Sequence, residues 1–502
     1  MTSDLAVRSF QAVLWNFFGG VGKIFAQLAI QIWLARVLGP EVFGQYAAVL
    51  VIIGFGWLFA DSGFGAALVQ KVTINNDDIS YALGWILTLS LLIAVLVVFF
   101  SVQLAELIGD SRLTLPIAAC GPIIAFQALS NLSASLMRRD LNMKRYQVIQ
   151  LAGYLIGFGL VAVSLAHYGA GVWSLVIGFM VQTLISLVFG YATVRHTLNP
   201  TLSGNVEYRN FGLNVLGTNL ANWAIENLDR FIIGRQWGIS DLGAYAAASN
   251  LSRSPTSLIV SSVQSVVLSS ASRVQNDPER IRRGYTSIVS LTALITFPVF
   301  MMLALKAKFV IHLLYGEHWV AAIPLFSVFC IVVPIYVLLA VTGPALWAIG
   351  SVASEFKIQI FSAIVFVAGL MMLVDFPLTQ AVWIVPCVYL GRFVFVYLAL
   401  AQSIQLSHLR TFSGLLGGLA LATLVALVDY AIGKGISATI MNQVWFNFLQ
   451  LILAATVCLG VLHLWPGILI GDDLSRLLLS RAVDSKFAKV ICRLIGLKAA
   501  TA

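Results

Sequence analysis

Two stretches of the chain share one pattern, ARVLGPEVFGQYAA (Ala35–Ala48) and GRQWGISDLGAYAA (Gly234–Ala247). Both fit R-x-x-G-x-x-x-x-G-x-Y-A-A, and they lie 199 residues apart. That interval pairs Arg36 with Arg235, Gly39 with Gly238, Gly44 with Gly243 and Tyr46 with Tyr245. So many matches in so short a window indicate an internal duplication, in which each half of the chain carries one copy.

The composition of the 502 residues shows what class of protein was duplicated. Hydrophobic residues make up 60% and charged residues 10% of the chain, and the mean hydropathy is +0.93. Soluble domains are roughly half apolar and about a quarter charged, so we expect an all-α polytopic membrane protein. The net charge of +9 does not indicate nucleic-acid binding, because the cations are not gathered on one soluble face. The five cysteines stand alone, which favours neither disulfides nor a metal site.

A helix needs about 20 apolar residues to cross a bilayer, because every backbone amide must be satisfied within the segment. Fourteen runs meet this requirement. The predicted spans are 12–35, 43–68, 81–105, 115–137, 148–167, 171–194, 211–233, 242–268, 286–305, 320–349, 357–374, 379–402, 412–432 and 444–465. Spans 7 and 8, which carry charged residues, meet the requirement least well.

The basic residues test this count, because Lys and Arg accumulate in cytoplasmic loops. With the N-terminus inside, 20 basic residues fall in cytoplasmic segments, 6 in outer segments and 4 within spans. This bias favours fourteen spans with both termini in the cytoplasm. The first span is too long for the core of a signal peptide, so we expect it to stay uncleaved.

The predicted spans group into two equal sets. Spans 1–6 and 7–12 both begin inside, so the duplication is parallel, and two six-helix lobes of this kind form a transporter with its substrate site near the midplane. The predicted domains are an N-lobe (1–200), a C-lobe (201–405), spans 13 and 14 (406–466) and a cytoplasmic tail (467–502). Apolar and basic positions in the tail recur at helical spacing, which predicts a helix on the inner leaflet. A solvated tail is the alternative.

Polar residues lie on matching faces of spans 1 and 7. The stripe of span 1 consists of Asn16, Lys23, Gln27 and Gln31. The same interval of 199 residues places Asn222, Glu226 and Arg230 of span 7 opposite Lys23, Gln27 and Gln31. A central Lys or Arg facing lipid costs about 2.5–3.5 kcal/mol, so both stripes are predicted to face a cavity. The alternative is structural pairing, of Glu226 with Arg230 or of Asp229 with Arg253 or Arg392.

At these residues the chain resembles the polysaccharide transporter (Wzx-type) branch of the multidrug/oligosaccharidyl-lipid/polysaccharide (MOP) flippase superfamily. The first half carries LARVLGPEVFGQYAAVLVI and LFADSGFGAALVQ. The second half carries NLDRFIIGRQWGISDLGAY, SRVQNDPERIRRGY and LLYGEHWVAAIPLF. The resemblance covers most of the chain and implies a fold like that of the MATE transporters and MOP flippases, with spans 13 and 14 added to a twelve-span core.

The resemblance implies export of a polyprenyl-diphosphate-linked oligosaccharide, from the inner to the outer leaflet of the bacterial cytoplasmic membrane, for exopolysaccharide, capsule or lipopolysaccharide assembly. A diphosphate requires cations, and the basic residues within spans are Lys23, Arg230, Arg253 and Arg392. These four are the predicted head-group site, because arginine can grip phosphate through two parallel hydrogen bonds and lysine as a point charge. The expected partners are this lipid-linked substrate, membrane lipids and the polysaccharide polymerase or export machinery.

Two alternatives to a flippase follow from the same residues. A membrane glycosyltransferase or polymerase would need a long outer loop with paired carboxylates, and the sequence has none, so no enzyme activity is expected. Cation-coupled drug efflux on the same fold would favour an acidic cavity. No cofactor is predicted, whereas a coupling ion, H⁺ or Na⁺, could act on Glu226, Asp229 or Asp61. For Asp61, capping a kink beside nearby glycines is the competing interpretation.

The repeated phrase itself predicts a gate. Arg36 and Arg235 follow the predicted outer ends of spans 1 and 7, and Tyr46 and Tyr245 begin the next spans. The glycines permit a tight reversal and a close approach of helices, so the two elbows are expected to meet when the cavity is closed to the outside. The alternative is that each arginine only caps the C-terminal end of its own helix.

Overall fold

The computed structural model describes residues 2–61, 64–71, 73–203, 227–273, 278–435 and 443–470, with Trp223, Leu474, Ser475 and Cys492. All regular structure in these residues is helical. They divide into two compact units. The first consists of Met1–Ala247 and Leu314–Trp319, and the second of Ala248–Leu313 and Val320–Ala502.

The first unit contains most of the N-terminal half of the chain. Its helices are α1 (Thr2–Asp61), α2 (Phe64–Gln70), α3 (Asn76–Phe99), α4 (Ser101–Ile108), α5 (Thr114–Ala118), α6 (Cys120–Arg139), α7 (Met143–Tyr154), α8 (Val163–His167) and α9 (Val172–Val194). A π-helical stretch, Leu155–Ala162, joins α7 to α8, so the three form one span of membrane length. Residues 227–236 are helical, and α10 (Ile239–Arg273) starts in this unit and continues into the second.

The second unit contains the helices that follow. They are α11 (Pro278–Leu305), α12 (Ala307–Leu314), α13 (Ala322–Ala348), α14 (Val352–Met372), α15 (Leu378–Ala381), α16 (Ile384–Ile404), α17 (His408–Gly435), α18 (Gln443–Leu464) and α19 (Pro466–Leu469). The last residue of α12 belongs to the first unit, together with the 3₁₀ turn Glu317–Trp319.

Each unit buries an apolar core and leaves other apolar side chains exposed. In the first unit Leu68, Ile86 and Leu132 are almost fully buried between α2, α3 and α6. In the second, Val289 and Val396 are fully buried between α11, α13 and α16. Large apolar side chains such as those of Phe99, Leu160, Met372 and Leu427 are more than half exposed. Such extensive apolar exposure indicates a surface that meets lipid rather than water.

The spans of the structure agree with the predicted class of fold. Eleven helical stretches among the described residues are long and apolar enough to cross a membrane. One of them, Gly19–Leu58, contains most of predicted spans 1 and 2, which α1 joins without a gap. Span 8 corresponds to α10, which is too polar to be counted among these eleven stretches. Most of span 7 lies outside the described residues. The chain is therefore an all-α, multi-pass membrane protein, and the count of fourteen spans stays a prediction.

Candidate functional site

The first glycine of each repeated phrase turns the backbone at an elbow. Gly39, within α1, has φ 73° and ψ 176°, and Pro40 follows it. Gly238, its counterpart, has φ 96° and ends the loop before α10. Residues with a Cβ rarely adopt such positive φ values, whereas glycine does so without steric cost. The predicted reversal at each copy is therefore present in the backbone.

The second glycine of each phrase allows the two elbows to touch. A Cβ on Gly44 would overlap the backbone carbonyl of Ile239, and a Cβ on Gly243 would overlap the carbonyl of Pro40. All four residues belong to the first unit. The two glycines of each phrase thus serve different purposes, since one permits the turn and the other permits backbone-to-backbone packing between the copies.

The arginines of the two phrases bind short helices of the opposite half of the chain. Arg36 Nε donates to the carbonyl of Leu314, the last residue of α12, at 2.7 Å. Arg235 Nη1 donates to the carbonyl of Glu106, in the last turn of α4, also at 2.7 Å. Carbonyls at a helix C-terminus have no intrahelical partner, and a cation there interacts favourably with the helix dipole. Each arginine therefore caps a helix, as one interpretation of the sequence expected, but that helix is not its own.

The two short helices reveal a second copy of the duplication that the sequence analysis missed. Both α4 and α12 have eight residues, and the chain reads LIGD (Leu107–Asp110) across the end of α4 and LYGE (Leu314–Glu317) across the end of α12. Their glycines, Gly109 and Gly316, have φ of 94° and 93°. The shared pattern L-x-G-[DE] is too short to stand out without the partners that the structure supplies.

Side chains from both short segments hold the elbow of α1 in place. Trp319 is buried, its Nε1 donates to the carbonyl of Ala35 at 3.0 Å, and its ring packs edge-on against Phe43. Gln45 Nε2 donates to Asp110 Oδ2 at 3.2 Å, and Arg112 Nε donates to Asp110 Oδ1 at 2.9 Å. Burial raises the pKa of Asp110, but the hydrogen bonds from Arg112 and Gln45 outweigh burial and hold that pKa below its usual value.

Two of the predicted head-group cations belong to the first unit. Lys23 lies on α1 and Arg230 on helical residues 227–236, and both side chains are half-buried. Neither forms an ion pair with a carboxylate of the described residues. Gln27 and Gln31 follow Lys23 along α1 and are also half-buried. Asn16 lies in α1 as well, but its side chain is not described, and Asn222 lies outside the described residues.

The other two predicted head-group cations belong to the second unit and have partners there. Arg392 Nη2 donates to Glu355 Oε1 at 2.9 Å, in a pair whose side chains are mostly buried. Arg253 Nη2 donates to the hydroxyl of Tyr389 at 3.1 Å, and its guanidinium lies 5.5 Å from the ring centre of Tyr336. Aromatic faces stabilise a cation without neutralising it. The head-group site of four cations thus stays a prediction, and one of its members is already compensated by Glu355.

The sequence analysis missed a further buried cation. Lys306, which lies between the predicted spans 286–305 and 320–349, is only 8% exposed and follows α11 directly. Its Nζ is 2.7 Å from Asp429 Oδ1 of α17 and donates to Gln450 Oε1 of α18 at 2.6 Å. An acidic residue near the end of a span would have been the signal for this pairing, as it would for Glu355 near the start of α14. Both pairs join helices within the second unit.

The structure describes the side chain of one of the three predicted coupling carboxylates. Asp229 Oδ2 accepts a hydrogen bond from the hydroxyl of Tyr245 at 2.7 Å, so this member of the repeat is bonded to a neighbouring helix. Tyr46, the counterpart of Tyr245, packs edge-on against Phe158. Asp61 is the last residue of α1, but its side chain is not described, and Glu226 lies outside the described residues.

Two cavities in the second unit differ in character. The larger, of about 520 Å³, is almost entirely apolar and lies between α11, α17 and α18, with Pro298, Met302, Leu421 and Leu451 in its wall. The smaller, of about 330 Å³, is polar and lies where α11 and α17 begin. Within the described residues no group of three His, Cys, Asp or Glu side chains is close enough to hold a metal ion.

Comparison with known proteins finds one matching family and several relatives. The profile of a family described as "Polysaccharide biosynthesis protein" matches residues 33–324, which is more than half of the chain. The succinoglycan biosynthesis transport protein ExoT of Rhizobium meliloti is 25% identical over 62% of this chain and 63% of its own length. The lipopolysaccharide biosynthesis protein WzxC of Escherichia coli is 25% identical over 73% of this chain and 75% of its own length.

A solved structure shares the fold. The lipid II flippase MurJ, in an inward closed conformation, superposes with a TM-score of 0.69 at 14% identity, covering 90% of this chain and 97% of MurJ. At so low an identity the likeness shows the fold alone. It confirms the predicted MOP-flippase-like architecture.

Proposed function

The chain belongs to the polysaccharide biosynthesis protein family within the MOP flippase superfamily, and from that membership we propose that it flips a lipid-linked oligosaccharide. The proposed substrate is a polyprenyl-diphosphate-linked oligosaccharide, which moves from the inner to the outer leaflet of the bacterial cytoplasmic membrane. Its product serves the assembly of an exopolysaccharide, a capsule or a lipopolysaccharide. Transport, rather than bond making or breaking, is the proposed activity.

The observation that carries this proposal is that two intramembrane cations of the first unit have no carboxylate partner among the described residues. Lys23 and Arg230 are half-buried in helices of a membrane protein, and no carboxylate of the described residues neutralises them. An intramembrane charge is costly, so it is retained where a counter-charge, a ligand or a pathway uses it. A diphosphate brings at least two negative charges and acceptor oxygens that suit Lys and Arg. These two residues are the core of the proposed head-group site.

The apolar cavity of the second unit supports the same class of substrate. Its volume of about 520 Å³ and its wall of Leu, Ile, Val and Met side chains suit a hydrocarbon chain. An apolar wall offers no hydrogen-bond partners to a polar solute, so this groove favours a long lipid over a small polar solute. A polyprenyl tail offers such a chain, whereas a free sugar does not.

Alternating access requires a contact that can open, and the crossed elbows are the proposed outer gate. The glycine contact of Gly44 and Gly243 has no side chains that interlock, and the two arginine caps of Arg36 and Arg235 are exposed hydrogen bonds of modest strength. Tyr46 and Tyr245 lie in the helices that follow the two elbows. Separation of the elbows would break these interactions, which suits a reversible closure.

The proposed energy source is a gradient of H⁺ or Na⁺. Asp229 is the described carboxylate best placed to respond, because it is bonded to Tyr245 of the proposed gate. A carboxylate that gains a proton gives up its charge and changes the hydrogen bonds it accepts. Proton or sodium binding at Asp229 would therefore act directly on the elbow.

Reconstitution of the purified chain into liposomes tests the proposal. A short-chain polyprenyl-diphosphate oligosaccharide with a fluorescent label is placed in one leaflet, and its arrival in the other is measured by quenching or by an enzyme that modifies exposed sugars. We expect flipping well above that of protein-free liposomes. Efflux of a cationic dye without flipping would instead assign the chain to drug transport, and a covalently altered lipid would indicate an enzyme.

A further inference from the structure

The polar cavity of the second unit has no part in the proposed flipping of a lipid-linked oligosaccharide. It has a volume of about 330 Å³ and lies where α11 and α17 begin and α16 ends. Its wall consists of Glu279, Arg282, Arg283, Thr286, Gln405, Leu406, Ser407 and Arg410. Three arginines therefore face the cavity against one glutamate, so the cavity is strongly cationic.

The helices around the cavity add to this positive potential. A Cβ on Gly414 would meet Ser290 Oγ, and a Cβ on Gly418 would meet the carbonyl of Ala293. Residue numbers rise together along the contact, so α11 and α17 run parallel, and α17 begins beside the second turn of α11. The first N–H groups of a helix lack intrahelical partners and carry partial positive charge. The N-terminus of α17 and three guanidinium groups thus converge on one cavity.

The single glutamate cannot compensate these charges. Glu279 Oε1 accepts from Arg283 Nε at 3.0 Å, and Glu279 Oε2 lies 3.4 Å from Arg282 Nη1. Arg410 forms no ion pair with any residue in the described part of the chain. The guanidinium of Arg410 is therefore available for an anion, and guanidinium groups match the oxygens of a phosphate in pairs.

An exposed apolar stripe leads away from the cavity along α17. Leu409 is 80% exposed and Phe412 is 57% exposed, immediately before and after the arginine and threonine of the first turn. Leu416 and Leu419 continue the stripe at helical spacing with 48% and 43% exposure. In a membrane protein such a stripe meets acyl chains. A ligand whose charged group occupies the cavity would therefore have its hydrocarbon portion beside this stripe.

We propose that this cavity binds the phosphate group of an anionic lipid at the membrane surface where α11 and α17 begin, which the distribution of basic residues predicts to be cytoplasmic. The shared chemistry is a phosphate ester attached to a hydrocarbon chain, as in phosphatidylglycerol, cardiolipin or a polyprenyl diphosphate. Basic pockets between transmembrane helices on the cytoplasmic side suit such head groups. The proposal concerns binding alone and does not depend on the proposed flipping activity.

Lipid binding by the purified full chain tests the proposal. The protein is placed in nanodiscs of phosphatidylcholine and titrated with fluorescent phosphatidylglycerol. We expect Arg282→Gln with Arg410→Gln to weaken binding about tenfold, which corresponds to about 1.4 kcal/mol. The matched control is Arg145→Gln with Lys357→Gln, two exposed basic residues predicted to be cytoplasmic and not part of the cavity wall, and it should leave binding unchanged.

A second variant changes binding in the opposite direction. Glu279→Gln removes the carboxylate that occupies Arg282 and Arg283, so we expect it to tighten phosphatidylglycerol binding at least threefold. A folding defect cannot produce tighter binding, so this result is decisive even if the double arginine variant is unstable. Binding of phosphatidylglycerol that neither variant alters would overturn the proposal.

Competitors distinguish the sources of the phosphate. Displacement of the probe by cardiolipin alone would assign the site to bilayer phospholipid, and displacement by polyprenyl diphosphate at equal concentration would assign it to a substrate-class lipid. Displacement by millimolar inorganic phosphate as effectively as by lipid would overturn the proposal, since the apolar stripe would then contribute nothing.

Discussion

The intramembrane cations of the two units differ in their partners. In the first unit, Lys23 and Arg230 have no carboxylate partner among the described residues. In the second, Arg392 is paired with Glu355 and Lys306 with Asp429, and Arg253 is enclosed by two tyrosines. Removal of one partner from a buried pair is strongly destabilising because the other charge is left uncompensated. This difference shows that a cation within a span can be taken as evidence of a ligand site only after its protein partners are known. A carboxylate or an aromatic side chain of the protein can already stabilise the charge.

The largest expected effect concerns the paired charges of the second unit. Glu355→Gln leaves Arg392 buried without a counter-charge, so we expect the free energy of unfolding to fall by about 3–5 kcal/mol. Denaturant unfolding in detergent measures this. A double variant, Glu355→Met with Arg392→Met, should recover most of the loss because neither charge is then left unpaired.

The exposed pair of Lys71 and Asp78 provides the control for that prediction. Lys71 is 40% exposed, so Lys71→Gln should cost less than about 1 kcal/mol. If Glu355→Gln were no more destabilising than Lys71→Gln, the pair of the second unit would not be structural, and the contrast between the units would lose its basis.

The next effect concerns the cations of the first unit that have no carboxylate partner among the described residues. We expect Lys23→Gln and Arg230→Gln each to reduce reconstituted flipping about tenfold, equivalent to about 1.4 kcal/mol, while the amount of folded protein stays the same. No carboxylate of the described residues is left without a partner by either change, so stability should be little affected. Lys434→Gln, an exposed residue predicted to be outside, is the control. Normal flipping by both single variants and by their combination would refute the head-group assignment of this unit.

The smallest expected effect concerns the glycine contact between the two elbows of the first unit. Gly44→Ala introduces a methyl group against the carbonyl of Ile239, so closure should be impeded and flipping should fall about threefold, less than 1 kcal/mol. Gly20→Ala is matched in chemistry, because nothing lies within 4 Å of a Cβ at Gly20, and it should have no effect.

Cross-linking gives the conformational readout for the elbows. Cysteines at Gln45 and Ala244, each beside a glycine of the contact, should form a disulfide that stops flipping until it is reduced. The yield should fall in Gly44→Ala and stay unchanged in Gly20→Ala. Equal yields in both backgrounds would mean that the elbows do not separate, and the arginine caps would then be static.

The sequence predicted several features of this molecule correctly because they depend on neighbouring residues. The apolar runs, the helical class and the turn at Gly39 and Gly238 follow from hydropathy and from the backbone freedom of glycine. That the two elbows act as an outer gate stays a prediction. The domain limits, the head-group site and the coupling residues remain predictions, and Asn222, Glu226 and most of the tail lie outside the described residues.

What the sequence determined by itself was therefore the membrane class, the duplicated plan and the MOP family. Only the tertiary structure decided which charges are compensated and which helix each arginine caps. Arg392 and Glu355 are 37 residues apart, and Arg36 and the carbonyl of Leu314 are 278 residues apart. Hydropathy is a sum over consecutive residues, so it can be read locally. An ion pair or a cap depends on a few ångströms between distant segments, and that distance is fixed only when the helices have packed.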